Sequence, residues 1–397
     1  MTARSGVPLA IAAVTLAIQN GIAMSFAVLY LPLVADFEAS RAEVATVQSA
    51  VLLLGGVGSP LIGWAFDRLG PRRLFQCGAL VAAAGFALAT RAQSLPVLVL
   101  TYGVIGGLGL AALGSQANMT VAALWYPGAR GRAIAVVDLG TGFGAFCFIP
   151  LAQVLVSTLG WRSTLLVWVA VLLGVLVPLN ALQRLPPALH ASSAAAPARG
   201  HWSVREAVRS SPFWWMVLMR FCGACAFAPM NVHMVAYAIG QGVTPTTAAT
   251  ALGAVSLVSL AGRMGTGALS DRIGRAPALS IAYGSAAVGI ACLSAMTVSP
   301  WTGWLVLYVV FYGLSQGSSG IIASARSADV FAGPSFGAIY GLLGLPVGPG
   351  EALGAWLGGR LFDATGSYLS VFGFAVAALV VGVVAIWRVR ADGAVST

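Results

Sequence analysis

The sequence predicts an all-α membrane protein with twelve transmembrane helices in two pseudo-symmetric six-helix bundles. Three observations predict it. Hydrophobic residues make up 59% of the 397 and charged residues only 8%, and the mean hydropathy is +0.90; soluble domains are about 25% charged. Apolar runs of about 20 residues, long enough to cross a bilayer, recur along the whole chain. A loop motif, G-x-x-x-D-R-x-G, appears once in each half of the chain, at the same ordinal place.

The runs lie at 8–34, 43–65, 74–92, 96–124, 133–157, 163–183, 212–238, 247–269, 276–298, 301–325, 335–358 and 367–388. They are rich in Leu, Ala and Gly and lack the period-2 alternation of barrel strands, so they read as helices. The first follows a single arginine, as a signal peptide would. It is too long for such a segment and continues into a hairpin, so it reads as retained. Spans six and seven are separated by "QRLPPALHASSAAAPARGHWSVREAVRSSP", residues 183 to 212, the longest polar segment. Its Pro, Ala and Ser content is that of a flexible connection. The expected organisation is a bundle over 1–185, a cytoplasmic linker over 186–211 and a bundle over 212–397. The stretch "HWSVREAVRSSPFWW" reads as a short interfacial helix.

The formal charge of +10 comes from 21 basic residues, every one an arginine. Their placement excludes nucleic-acid binding as the reason. With the N-terminus inside, only Arg41, Arg91, Arg162 and Arg360 among the loop arginines fall outside. This is the positive-inside pattern, and it places both termini in the cytoplasm of a bacterial inner membrane. Two arginines remain within spans, Arg220 and Arg263. The five cysteines all lie in spans, and Cys222-x-x-Cys225 has no second ligand pair, so it reads as helix packing rather than a metal or redox site. The glycine runs "DLGTGFG" (138–144) and "GVIGGLGL" (103–110) follow no strand and read as helix-packing surfaces. With no P-loop, no HExxH and no Ser-His-Asp grouping, the sequence points to neither an ATP-driven pump nor an intramembrane hydrolase, and to no enzyme, cofactor or metal.

The repeated motif is "GWAFDRLG" at 63–70 and "GALSDRIG" at 267–274. Gly63 and Gly267 would allow two helices to approach closely. Asp67, Arg68, Asp271 and Arg272 sit near helix ends, where they would cap or pair and so hold a gate shut in one state. Plain topology-setting charge is the other reading. On these residues the chain resembles the major facilitator superfamily over essentially its full length. "ALWYPGARGRA" (123–133), "LGWRST" (159–164) and "GGRLFDATGSY" (358–368) narrow the resemblance to monocarboxylate transporters and oxalate–formate-type antiporters. The resemblance implies a site near the midplane between the bundles, alternating access, and a substrate-anchoring role for Arg263, four residues before Gly267. The chain departs from those families in two places. Ser259 stands where an aspartate one turn before the arginine is expected, and no lysine is available to meet a second carboxylate. The coupling residue is therefore open, and a monoanion is favoured.

The residues carry their own argument. Arg263 lies eight positions before Asp271, or ~12 Å of helix, near the midplane of a ~30 Å core. A lone arginine there costs about 2.5–3.5 kcal/mol on transfer scales. It is either a carboxylate anchor facing a cavity or the partner of Asp138 or Glu351. Those two are the acidic residues well inside spans. Each is a candidate proton carrier; Asp138 reads equally as part of an interface network with Arg132 or Arg220, and Glu351 as an arginine's partner. His233, in "NVHMVAYAIGQGVTP", either lines the mouth of the outer cavity and titrates near neutrality or donates to a backbone carbonyl. Gln19, Asn20 and Tyr30 of span one, Asn118 of span four, and Tyr308, Tyr312 and Gln316 of span ten complete the candidate pocket. The expected function is secondary transport of a small organic anion, lactate- or pyruvate-like, with a proton, by a chain complete as a monomer in lipid. An exporter of hydrophobic compounds and a non-transporting receptor are the rivals.

Overall fold

A computed structural model describes residues 3–186, 202–299, 301–333 and 335–389. Every regular element among them is helical. Eight helical stretches are by themselves long and apolar enough to cross a membrane, and a pair bent by 58°, Arg41–Val57 with Ser59–Ala89, passes the same test together. Two of these stretches hold more than one span, because the chain reverses at a glycine. Gly70 (φ 72°, ψ 166°) divides Ser59–Ala89 and Gly160 (φ 78°, ψ 166°) divides Arg130–Val171. Phe336–Gly344 and Val347–Thr365 form a further span, interrupted at Leu345–Pro346. Twelve crossings result, in the sequence order expected. Of the connection between spans six and seven, residues 187–201 lie outside the described residues. Its far end is helical over Val204–Arg209, where Ser203 and Glu206 form a capping box.

The repeated loop motif has a backbone reason. Its final glycine takes a left-handed φ at both copies, 72° at Gly70 and 94° at Gly274, with ψ of 166° and 164°. A side chain at either position would strain the turn. The motif's first glycine behaves otherwise than expected. A Cβ built at Gly63 would meet nothing nearer than Gln116 Nε2 at 4.0 Å, and one at Gly267 would meet Ile321 Cγ2 at 3.6 Å. Neither marks a close helix contact in this conformation.

Close contacts fall on the glycine runs. A Cβ on Gly140 would lie 2.4 Å from Ala13 O, one on Gly144 2.0 Å from Ala17 O, and one on Gly109 2.2 Å from Ala82 N. Span five therefore packs on span one, and span four on span three, backbone to backbone. We expect Gly144→Ala to lower the midpoint of thermal unfolding in detergent, a loss of about 1–3 kcal/mol. Gly284→Ala, where a Cβ meets nothing within 4 Å, should leave it unchanged or raise it.

The two halves meet along two seams. Span two packs on span eleven and span five on span eight. These are the second and fifth helices of opposite halves, so exchanging the halves exchanges the seams, as a pseudo-twofold axis requires. Spans three, six, nine and twelve lie outside, with Leu80, Leu166, Val288 and Val380 exposed on them. A lipid solvent makes such exposure favourable.

Candidate functional site

Between the seams lies a chamber of about 270 Å³. Its polar wall comprises Asn20 and Thr141 from the first half and Arg220, Asn231, Arg263, Gln316 and Glu351 from the second. It shares Asn20, Met24, Arg220, Val347 and Glu351 with a vestibule of about 760 Å³, whose walls run along spans two, four and eleven past Ser59, Gln116 and Ala338. These residues lie toward the helix ends joined by the Gly70 and Gly274 turns, so the site opens on that face.

Arg263 is held in the chamber wall by an ion pair across the second seam. Its Nη1 donates to Asp138 Oδ2 at 2.6 Å and to Thr141 Oγ1 at 3.2 Å. Both members of the pair are about one-fifth to one-quarter exposed. Asp138 thus pairs with Arg263, one of the two partners left open for that arginine, and not with Arg132 or Arg220; the partners are 125 positions apart and only the seam unites them. The helix of span ten breaks beside this guanidinium. Gly317 adopts φ 86° between Gly303–Ser315 and Ser318–Phe331, and a Cβ there would lie 2.4 Å from Arg263 Nε. Only glycine lets the chain pass so close.

Asn20 and Gln316 line the chamber with Arg263. Asn20 Nδ2 donates to Thr141 O at 2.7 Å, and Gln316 Nε2 to Asn231 Oδ1 at 2.8 Å. Gln19 lines the vestibule. Four other candidates stand apart. Asn118 is buried and donates to Leu113 O and Gly114 O, bridging a break in span four. Tyr308 and Tyr312 stack 4.9 Å apart in the core, and Tyr312 donates to Phe227 O. Tyr30 belongs to the opposite, closed face. Asn231 and Thr141 were not singled out from sequence; a lone Asn inside an apolar helix was the available signal for the first.

The closed face is built on Asp363. Its carboxylate accepts from Arg41 N at 3.1 Å and Ala42 N at 2.8 Å, so the end of span eleven caps the start of span two. Arg41 lies over the Phe362 ring at 3.9 Å and donates to the Tyr368 hydroxyl, while Tyr30 Oη donates to Arg41 O at 2.7 Å. Below them the seam is bare backbone: a Cβ on Gly56 would lie 2.5 Å from Gly348 Cα. His233 is buried in this face, its Nε2 2.9 Å from Ala355 O and its ring edge-on to Tyr30 at 4.9 Å. It is the carbonyl-bonded histidine of the two sequence readings, away from the chamber in this conformation.

On the open face the motif charges do not cross between halves. Asp67 and Arg68 are exposed, with Arg68 over Trp64 at 5.1 Å. Asp271 pairs with Arg275 at 2.5 Å rather than with Arg272, and Arg275 also meets Asp329 at 3.1 Å, tying spans eight, nine and ten of one half together.

The chain resembles known proteins in sequence and in fold. A family model described as Major Facilitator Superfamily matches residues 9–325 and again 242–396. Monocarboxylate transporter 13 of Rattus norvegicus is 30% identical over 371 residues, covering 92% of this chain and 84% of the relative. Monocarboxylate transporter 2 of Homo sapiens is 25% identical, covering 84% and 74%. The uncharacterized MFS-type transporter YcxA of Bacillus subtilis (strain 168) is 24% identical, covering 89% and 87%. Among solved structures, a bacterial homolog of the human lysosomal transporter Spinster superposes with a TM-score of 0.77 over 97% of this chain and 96% of that one, at 16% identity.

Proposed function

The chain belongs to the major facilitator superfamily of membrane transporters, and from that premise we propose that it carries a small monocarboxylate, of the lactate or pyruvate kind, together with a proton. The observation that carries this reading is the Arg263–Asp138 pair in the chamber wall. The similarity to monocarboxylate transporters supports the substrate class. A guanidinium already bonded to a carboxylate is a ready site for another carboxylate, provided the first lets go. Protonation of Asp138 removes its charge and weakens its hold on Arg263 Nη1. The guanidinium then turns to the substrate anion. One proton and one anion bind together, so the charge of the chamber stays constant. Loss of the proton reverses the order and expels the anion.

The ion pair joins span five to span eight, one from each half, so exchanging Asp138 for substrate also changes what holds the seam. That couples occupancy to rocking of the halves. The arginine distribution supports a cytoplasmic position for the open face, and the repeated motif then serves as the gate that closes it. Glu351 in the same wall and His233 in the closed face are the other candidate proton carriers. A monomer in a bacterial inner membrane suffices for this cycle.

The test is uptake by purified protein in liposomes. With an acidic exterior, labelled L-lactate or pyruvate should accumulate, and a protonophore should abolish accumulation. Absence of proton-driven uptake for acetate, lactate, pyruvate and benzoate alike would overturn the reading.

A further inference from the structure

The chamber holds a second cation in a setting unlike that of Arg263. Arg220 Nε and Nη1 are both buried without a hydrogen-bond partner, and none of the ion pairs among the described residues includes it. Its Cζ lies 5.6 Å from the Tyr340 ring, and Glu351 is close enough to interact with it electrostatically. A guanidinium with unsatisfied buried donors is expensive to maintain, and such donors call for a water, an ion or a ligand to complete them. The start of Ser318–Phe331 lines the same chamber. No side chain caps this helix, because its N-cap position is Gly317, and Ser318 Oγ donates back to Ser315 O at 2.6 Å. Gly317, Ser319 and Gly320 line the chamber, so its first-turn N–H groups and positive dipole end lie in the wall. Arg220 lines both vestibule and chamber, whereas Arg263 lines the chamber alone.

We infer that Arg220 and the uncapped start of Ser318–Phe331 form a second anion seat, which receives the substrate carboxylate from the open face before Arg263 does. The inference rests on the carboxylate reading above. It adds a binding residue in span seven and an order of engagement, from vestibule to Arg220 to Arg263. A competing role for Arg220 is to offset the charge of Glu351, which lines the same wall. The two roles separate in a double-mutant cycle.

Affinity for acetate, L-lactate and pyruvate is measured by ligand-induced thermal shift and by calorimetry on the full chain in detergent. Arg220→Gln is expected to weaken binding at least tenfold, and Arg220→Lys to restore part of it. The decisive variant is Arg220→Gln/Glu351→Gln, which leaves no lone charge to disturb folding. If Arg220 binds ligand, the double variant stays at least tenfold weak. If the double variant recovers wild-type affinity, or if Arg220→Gln alone binds as wild type does, the seat is overturned while the transport reading stands. If wild type binds none of the three carboxylates, both fall together.

Discussion

Replacing Arg263 with alanine is expected to lower proton-driven monocarboxylate uptake by roughly two to four orders of magnitude in proteoliposomes. Each hydrogen bond to a charged group contributes about 1.5–3 kcal/mol, and a carboxylate meets a guanidinium through two. Their loss is about 3–6 kcal/mol, or roughly 10²–10⁴-fold at 1.4 kcal/mol per decade. The variant also strands Asp138, whose Oδ2 bonds Arg263 at 2.6 Å, and an unpaired carboxylate on the seam is destabilising in itself. Asp138→Asn separates the two effects. It keeps the shape, removes the competitor for the guanidinium and removes the titrating group. Counterflow exchange of substrate should persist in Asp138→Asn, while accumulation driven by a proton gradient disappears. Full coupled uptake in that variant would remove Asp138 as the proton carrier and leave Glu351 and His233.

The elements that the sequence made legible are those fixed by local chemistry. Apolar length located the spans, and the two copies of G-x-x-x-D-R-x-G located equivalent loops. The structure adds that the last glycine of each copy, Gly70 and Gly274, is a left-handed turn. Arg263 was marked by its depth alone. Asp138 and Glu351 were both open as its partner, and the seam between spans five and eight, which no local pattern reveals, decides for Asp138. Arg220 read as half of an ion pair and turned out to have none, a fact that depends on where Glu351 and Asp138 point. The aromatic stripe Tyr308–Tyr312 had the right spacing for a pocket wall but packs into the core. Helical periodicity identifies a face and does not say whether lipid, protein or cavity lies against it.

Removing the carboxylate of Asp363 is expected to release the closed face. Asp363 accepts from the backbone N–H groups of Arg41 and Ala42, so it caps span two from the opposite half. Span two keeps its own cap: Ser40 Oγ accepts from Glu43 N and Glu43 Oε2 accepts from Ser40 N. The helix start therefore survives in Asp363→Ala, and what is lost is the tie between halves. At an exposed helix N-terminus a carboxylate contributes about 1–2 kcal/mol, which shifts a two-state equilibrium roughly 5–30-fold. The Gly56–Gly348 contact and the Arg41–Tyr368 bond remain, so the face loosens without unfolding. A spin-label pair at Glu38 and Gln241, one on each half of this face, should show a longer-distance population that grows in Asp363→Ala and less in Asp363→Asn, which retains one acceptor oxygen. Identical distance distributions in wild type and Asp363→Ala would assign the closure to the backbone seam alone. If the distribution does shift, turnover should fall as well, because each cycle must re-form this face with one fewer tie to hold it.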